Sequence, residues 1–538
     1  MRFVYRLSIL AAVPILAWSQ GGGRNRAAAQ QAAPQAPAAQ QTPAPGRGGR
    51  GGGGAEATGA TDFYNYDTSA AGAQPIPDSP PVETHQKITA GGQSLAYTAQ
   101  AGYLPLRNAT TGASEAHVFF TGYTKDGDSG MRPLVFFFGG APGVAAAWQE
   151  FGGLGPKRMT TGGSAAWSDN PDTLLPQADL VFVDPVGTGF SRPDNPARAA
   201  SFWNTASDIA SMGEFVRVYV NKYNRTTSPL FLAGEDAGSG RVAGLAGYLH
   251  DHQIPVRGVV LLSMMPSADA SAGDAQYITL LPSLIMAAWH QKKLAADLNA
   301  MSAEQIAGQA RQLASREYLH ALYKGDRMTA DERAKVIADL ARFTGVSKAF
   351  IVNNELRLNA ERFGSELLRE QHKGFSNSDT RVTGFIPLAS GGRGGGGFGF
   401  GGTPAIDYNL AAISPAFLTS YEAYLKRELT FNGRDGIFYL SSGGVGPYVS
   451  TGNDEASLSI AFARNPDLRL FVAVNYYDLN APFYATEFTL AHLNVSSDVR
   501  AHNITVGHFE AGQMTYMDSK ELAKLHRDLA GFLAEGAK

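Results

Sequence analysis

Short apolar runs alternate with longer amphipathic segments through the middle of the chain. Each apolar run ends in turn residues, as buried parallel strands do. Between two of them, residues 207–223 have the spacing of an amphipathic helix. This alternation predicts an α/β fold, with a mostly parallel central sheet flanked by helices. The four clearest predicted strands are 132–140, 178–187, 228–234 and 256–263.

The pattern changes to consecutive amphipathic helices between about residues 276 and 369. Two of these helices begin with capping boxes, Ser302 to Gln305 and Thr329 to Glu332, in which side chains satisfy first-turn amides. Strand patterns and a closing helix then return. We therefore predict a helical cap inserted into one sheet domain. The predicted segments are 62–266 for the first part of the sheet domain, 267–416 for the cap with a glycine-rich loop at 390–404, and 417–538 for the second part.

The N-terminal region has the composition of a targeting segment followed by a spacer. Residues 1–19 combine a basic start, a short apolar run and a small-residue cleavage site, which predicts a signal peptide; an uncleaved membrane anchor is the alternative. Residues 20–61 are rich in Gly, Ala, Gln and Pro, so we expect a disordered linker. The predicted location is secreted or periplasmic, with no membrane span after signal removal.

Composition excludes several classes of function. The 538-residue chain has a net charge of −3, which does not favour nucleic acid as a partner. It contains no cysteine, which excludes disulfides, thiolate metal sites and a cysteine nucleophile. With 44% hydrophobic residues, it is long enough and apolar enough for a large folded core.

The segment FLAGEDAGSG, residues 231–240, places an acidic residue inside a hydrolase motif. In Gly-x-Ser-x-Gly, a nucleophilic serine occupies a sharp turn between a strand and a helix. Gly234 and Gly238 preserve the frame here, and Asp236 stands at the serine position.

Several segments occur in one order along the chain: FGGAPGVAAAWQEFGGLGP, DLVFVDPVGTGFSRP, GEDAGSGRVAGLAGYL, NYYDLNAPFYATEFTLAHL and FEAGQMTY. Together they resemble the signature segments of the serine carboxypeptidase family, in its bacterial branch, over roughly residues 82–538. The resemblance implies an α/β-hydrolase fold with a helical insertion. It also implies removal of C-terminal residues from peptides by a Ser, Asp, His triad in that chain order.

The resemblance assigns the triad to three positions of this chain. Asp236 occupies the nucleophile position, Asp478 retains the triad acid, and Gln513 stands at the position of the histidine. Glutamine has no usable basicity near neutral pH, whereas imidazole titrates there. Loss of both nucleophile and base therefore predicts that ordinary acyl transfer is absent.

The family's substrate-binding groups are also partly changed. The asparagine that helps to grip the substrate carboxylate corresponds to Gly139, while its partner glutamate is retained as Glu235. The backbone amides of the oxyanion hole correspond to Ala141 and Ala237, and a backbone amide persists through side-chain replacement.

These assignments predict an exported pseudo-peptidase that binds a peptide or a protein partner in the old cleft, with no cofactor. One alternative is residual serine-type carboxypeptidase activity through a rearranged site, for which Ser239 and His508 are weak candidates. We predict a local amide partner for Ser239 and a half-exposed strand position for His508. The second alternative is an Asp236-nucleophile hydrolase of the epoxide or halide type, which would lack a base for ester hydrolysis.

A structural role for the changed triad follows from the glutamine amide. Its NH₂ group has two donor hydrogens, so we predict that Gln513 bridges the carboxylates of Asp236 and Asp478. With Glu235 beside them, one acid would hold a proton or recruit a cation. No histidine cluster supports a metal site there, and none is predicted.

Overall fold

The computed structural model describes residues 76, 78–127, 131–140, 143–160, 166–386, 407–433, 437–441, 448 and 454–538. These residues belong to one compact unit, 60–538. The predicted signal peptide, linker and glycine-rich loop lie outside the described residues.

A ten-stranded sheet forms the centre of the described unit, in the order β1-β2-β3-β7-β4-β9-β10-β13-β14, with β8 paired to β3. Strands β7, β4, β9, β10, β13 and β14 run parallel, and β1 to β3 are antiparallel neighbours at one side. The strands are β1 (Val82–Ala90), β2 (Gln93–Arg107), β3 (Ser114–Lys125), β4 (Leu134–Phe138), β5 (Lys157–Met159), β6 (Trp167–Asp169), β7 (Asp179–Val183), β8 (Arg192–Pro193), β9 (Leu230–Glu235), β10 (Val256–Leu262), β11 (Lys373–Phe375), β12 (Thr383–Phe385), β13 (Arg469–Asn475) and β14 (Ile504–Phe509).

Helices supply the apolar surfaces that bury the sheet, which has a separate hydrophobic cluster on each face. The helices are α1 (Ala147–Gln149), α2 (Thr205–Lys222), α3 (Gly238–Asp251), α4 (Ala268–Ser271), α5 (Ala275–His290), α6 (Ala296–Asn299), α7 (Ala303–Leu313), α8 (Leu319–Lys324), α9 (Ala330–Thr344), α10 (Lys348–Asn353), α11 (Ala360–Leu367), α12 (Tyr408–Arg427), α13 (Asp454–Arg464), α14 (Phe483–His492), α15 (Ser497–His502) and α16 (Ser519–Gly536). Shorter 3₁₀ or π segments are Glu150–Leu154, Pro196–Phe202, Ala314–Tyr318, Gly325–Arg327, Arg369–Gln371 and Thr515–Met517.

The α/β prediction is confirmed, and so are its four clearest strands. Both capping boxes are present: Ser302 starts α7 with Gln305, and Thr329 starts α9 with Glu332. The run of helices from α5 to α11 occupies the region where the cap was predicted. The predicted boundary at residues 416 and 417 falls inside α12.

Close backbone packing brings the carboxyl ends of the central strands together. A Cβ on Gly238 would lie 2.5 Å from the carbonyl oxygen of Gly139, and a Cβ on Gly234 would overlap the carbonyl of Gly238. Strand β9, the start of α3 and the loop after β4 can therefore touch only because these positions are glycine. In the described part of the chain, no helix is long and apolar enough to span a bilayer.

Candidate functional site

Asp236 occupies a strained turn between β9 and α3. Its φ angle is 52°, in the left-handed region that side chains other than Gly, Asn and Asp rarely adopt. Its backbone N–H donates to the Leu262 carbonyl at 3.0 Å, and its carbonyl accepts from the Ser239 N–H at 2.9 Å. The chain has thus kept the bent backbone of a nucleophile elbow while replacing the residue at its tip.

The Asp236 carboxyl lies beside the backbone amide of Ala237. Burial raises the pKa of Asp236, and a hydrogen bond from the Ala237 amide opposes that rise. Ala237 carries one of the two amides assigned by resemblance to the oxyanion hole. The acid at the elbow is therefore electrostatically coupled to a donor that would otherwise face a substrate oxyanion. Ala141, the second assigned amide, lies outside the described residues.

Asp478 follows β13 and is fully buried. Its Oδ1 accepts the backbone amides of Asn480 at 2.9 Å and Ala481 at 3.2 Å. Its Oδ2 accepts from the Ser263 hydroxyl, which lies at the end of β10. Burial raises the pKa of Asp478 to about 7, against these hydrogen bonds. The acid is thus held by three donors, none of which belongs to residue 513.

Gln513 follows β14, but the predicted amide bridge between two carboxylates is wrong. Its Oε1 accepts from the side-chain amide of Asn480 at 3.0 Å, and neither Asp236 nor Asp478 accepts a hydrogen bond from it among the described residues. Asn480 comes between them, because it donates its backbone amide to Asp478 and its side chain to Gln513. The backbone of Gln513 is fixed separately, through its N–H to the Ser378 carbonyl at 2.7 Å.

Glu235 lies directly before the elbow and is 5% exposed. Its Oε2 accepts from the Tyr516 hydroxyl at 2.7 Å. Within the described ranges, its Oε1 is buried and has no geometric hydrogen-bond partner, and the same holds for the Oε1 of Gln149. Burial raises the pKa of Glu235 to about 8, and Asp236 and Asp478 add to the rise. Hydrogen-bond contributions from Tyr516 and from the Gln149 side chain oppose the rise without cancelling it.

Asp236, Glu235 and Asp478 interact electrostatically at one end of the sheet. The pKa values of these three carboxyls are shifted by burial, by hydrogen bonds and by one another, and no basic residue is among the causes. The described residues also contain no group of three or more His, Cys, Asp or Glu side chains placed to hold a metal ion. Without a cation, carboxyls in this environment are stabilised by holding protons.

Gly139 cannot hold the asparagine that the resemblance would place there. A Cβ on Gly139 would overlap the carbonyl of Val144. The carbonyl of Gly139 instead accepts from Nη1 of Arg241 at 2.8 Å. Restoring a side chain would therefore require a different path for this loop.

Of the two weak candidates for a rearranged site, Ser239 differs from its prediction and His508 agrees with it. The hydroxyl of Ser239 is buried and has no hydrogen-bond partner among the described residues, so the predicted local amide partner is wrong. His508 lies on β14 and is half-buried, as predicted. Its Nε2 is 2.7 Å from the Glu487 carboxylate, so this ring nitrogen already has a partner.

Sequence reasoning did not identify Ser263, Asn480 or Tyr516 as parts of this site. Asn480 lies two residues after the triad acid, so its local hydrogen bonds could have been anticipated. Ser263 ends an apolar run without a motif, and its left-handed φ of 54° is visible only in the structure. Tyr516 reaches Glu235 across 281 positions of sequence.

Comparison with known proteins agrees with the fold and partly with the family resemblance. Residues 91–314 match the family model for serine carboxypeptidases. This segment includes the elbow and Gly139, and it ends before Asp478 and Gln513. Serine carboxypeptidase-like 36 of Arabidopsis thaliana is 35% identical over 81 residues, which are 15% of this chain. The matched stretch spans 16% of the length of that relative.

A solved structure extends the likeness beyond the matched sequence. It is Kex1Δp, a prohormone-processing carboxypeptidase from Saccharomyces cerevisiae, with a TM-score of 0.51. The alignment covers 81% of this chain and 91% of that chain at 13% identity. The fold is therefore α/β-hydrolase-like on both sides of the helical segment, and the matched segment is serine carboxypeptidase-like.

Proposed function

We propose that this chain is a divergent member of the serine carboxypeptidase family that no longer catalyses acyl transfer and binds a peptide or a protein segment in the inherited cleft. One observation carries the proposal. At the two positions where the family has its nucleophile and base, this chain has an aspartate on the strained elbow and a glutamine whose side-chain carbonyl accepts a hydrogen bond from Asn480.

The chemistry of acyl transfer argues against turnover at this site. A serine nucleophile needs a base that accepts its proton, and the triad acid must orient that base. Here Asp478 has its own three donors, and the side-chain carbonyl of Gln513 is already an acceptor. A carboxylate beside the Ala237 amide would also repel a developing oxyanion. We infer that the site retains at most the small rate that binding alone provides.

Binding is the property that the retained features support. The left-handed backbone at Asp236 costs conformational free energy, and close glycine contacts hold it in place. Together they keep the elbow at the carboxyl ends of the central strands. Because Gly139 has no side chain, we propose that recognition relies on other parts of the ligand than its C-terminal carboxylate. The N-terminal signal predicted from residues 1–19 makes export the proposed route to its ligand.

An aspartate nucleophile is the second candidate, and the elbow geometry favours it over other enzymatic readings. Asp236 retains the left-handed φ of 52° that presents an attacking atom at the turn. Its carboxylate could displace a leaving group from carbon, but Gln513 could not activate the water needed to hydrolyse the ester. A single trapped adduct would therefore be the signature of this chemistry.

Intact-mass spectrometry with two electrophiles separates these functions. We expect no mass increase after incubation with a serine-directed fluorophosphonate, because the site has no activated serine. We also expect none with a simple alkyl epoxide, because burial raises the pKa of Asp236 and so disfavours the carboxylate form that would attack. A serine carboxypeptidase treated in parallel provides the positive control for labelling. A phosphonylated serine would establish residual serine hydrolase chemistry, and an ester on Asp236 that is absent in Asp236→Asn would establish the second candidate.

A further inference from the structure

A cavity of about 330 Å³ lies beside the elbow, between the start of α3, the segment after β10 and the start of α13. Ala237 and Gly240 form its border with the elbow, and Met265 and Pro266 contribute an apolar wall. Its volume is in the range of small-ligand sites in proteins. A ligand that crosses the elbow could therefore place one side chain in this cavity.

Two carboxylates line the cavity, and only one of them is neutralised. Asp208 accepts from Nε of Arg241 at 2.8 Å and from the Tyr448 hydroxyl at 3.3 Å. Asp454 has no ion pair and no side-chain hydrogen bond within the part of the chain that the structure describes. The cavity thus contains one acid without a compensating charge.

The carboxylate of Asp454 packs against α3 at a position that has no side chain, Gly240. A Cβ on Gly240 would overlap that carboxylate, so it packs directly on the first turn of the elbow helix. The guanidinium of the next residue, Arg241, points elsewhere, to Asp208 and to the carbonyls of Gly139 and Gly140. Burial raises the pKa of Asp454 to about 6, and the nearby Asp236 adds to the rise.

We propose that this cavity binds a cationic side chain of a peptide ligand, a primary ammonium or a guanidinium, with Asp454 as its counter-ion. The proposal rests on the proposed binding function and adds the chemical class that the cleft selects. An organic cation supplies both missing partners of Asp454, an opposite charge and hydrogen-bond donors. Its aliphatic stem would lie along Met265 and Pro266, as the stems of lysine and arginine do on apolar surfaces.

Calorimetric titration of the full chain with two N-acetylated dipeptides tests this assignment. The dipeptides end in lysine or in norleucine, which has nearly the same shape without the charge. At pH 7.5 we expect the lysine dipeptide to bind at least about ten-fold more tightly, a factor typical of one desolvated charge pair. Because Asp454 gains a proton as pH falls through about 6, the preference should shrink at pH 5.

Asp454→Asn preserves shape and removes the charge, so it should reduce the preference to less than about two-fold. Asp326→Asn changes an exposed acid of the helical region and serves as the matched control. Equal binding of the two dipeptides by the unmodified chain would overturn the cation assignment and leave peptide binding intact. If neither dipeptide binds, both the peptide-binding proposal and the cation assignment fail.

Discussion

Replacement of Arg241 by alanine will lower the free energy of unfolding by about 3–5 kcal/mol, the usual effect of leaving one member of a buried ion pair without its partner. Arg241 and Asp208 are each 6% exposed, and Nε of Arg241 lies 2.8 Å from Oδ2 of Asp208. The same guanidinium donates from Nη1 to the carbonyls of Gly139 and Gly140. The variant therefore loses a charge pair and the contacts that join α3 to the loop after β4.

Denaturant titration of matched variants measures this effect. Arg217→Ala, on the exposed face of α2, removes a surface pair with Glu214 and should cost less than about 1 kcal/mol. Addition of Asp208→Asn to Arg241→Ala should recover part of the loss, because it removes the uncompensated charge. Similar small losses for Arg241→Ala and Arg217→Ala would contradict the importance of the buried pair.

Stability should fall as pH rises from 5 to 8. Burial raises the pKa of Glu235 to about 8 and those of Asp478, Glu150 and Asp184 to about 7. A carboxyl whose folded pKa exceeds its unfolded value stabilises the fold below the unfolded value, and this contribution is lost as pH rises through the folded value. Four such groups together should remove at least about 3 kcal/mol over this interval.

Two histidines, the exposed His290 and the half-buried His526, act in the opposite direction below about pH 6.5, because partial desolvation lowers the pKa of each. We expect their effect to be smaller, since neither is as deeply buried as the four carboxyls. Unfolding free energies from denaturant titration at pH 5, 6.5 and 8 give the net slope. A stability that is constant or rises across this interval would contradict the account.

Glu235→Gln isolates one member of this set. The glutamine carbonyl can still accept from Tyr516, and the substitution removes a buried ionisable group whose pKa burial raises. We therefore expect the variant to match the parent at pH 5 and to be about 1–3 kcal/mol more stable at pH 8. An equal loss of stability at both pH values would mean that Glu235 is not protonated in the folded protein.

The central sheet was predictable because its strands are short, predominantly apolar and bounded by turn residues. Strand β4, with all five residues buried, and helix α9, with its Thr329 capping box, follow from local sequence. The antiparallel strands β1 to β3 were not predicted from these runs. In β1 and β2, buried positions alternate with more exposed ones, so these strands lack a continuous apolar signal. Strand β3 is buried from residue 116 to 123, but polar residues such as His117 and Thr121 interrupt its apolar sequence.

At the site, residue identities were predictable and their hydrogen bonds were not. The glycine frame around Asp236 gave the elbow, and the resemblance gave the positions of Asp478 and Gln513. The network depends on Ser263 and Asn480, which come from different turns and meet only after the strands align. Likewise, the overlap that excludes a side chain at Gly139 is a property of the folded loop rather than of the sequence.

Turnover by the unmodified chain tests the central claim most directly. Purified protein is assayed with N-blocked dipeptides and a chromogenic ester between mildly acidic and neutral pH, beside a mock purification. The double variant Asp236→Ser with Gln513→His reports whether the scaffold regains activity. The account predicts no product from the unmodified chain above the mock level, since nucleophile and base are both absent. Product above that level, lost in Asp236→Ala, would contradict it and make Asp236 a catalytic residue.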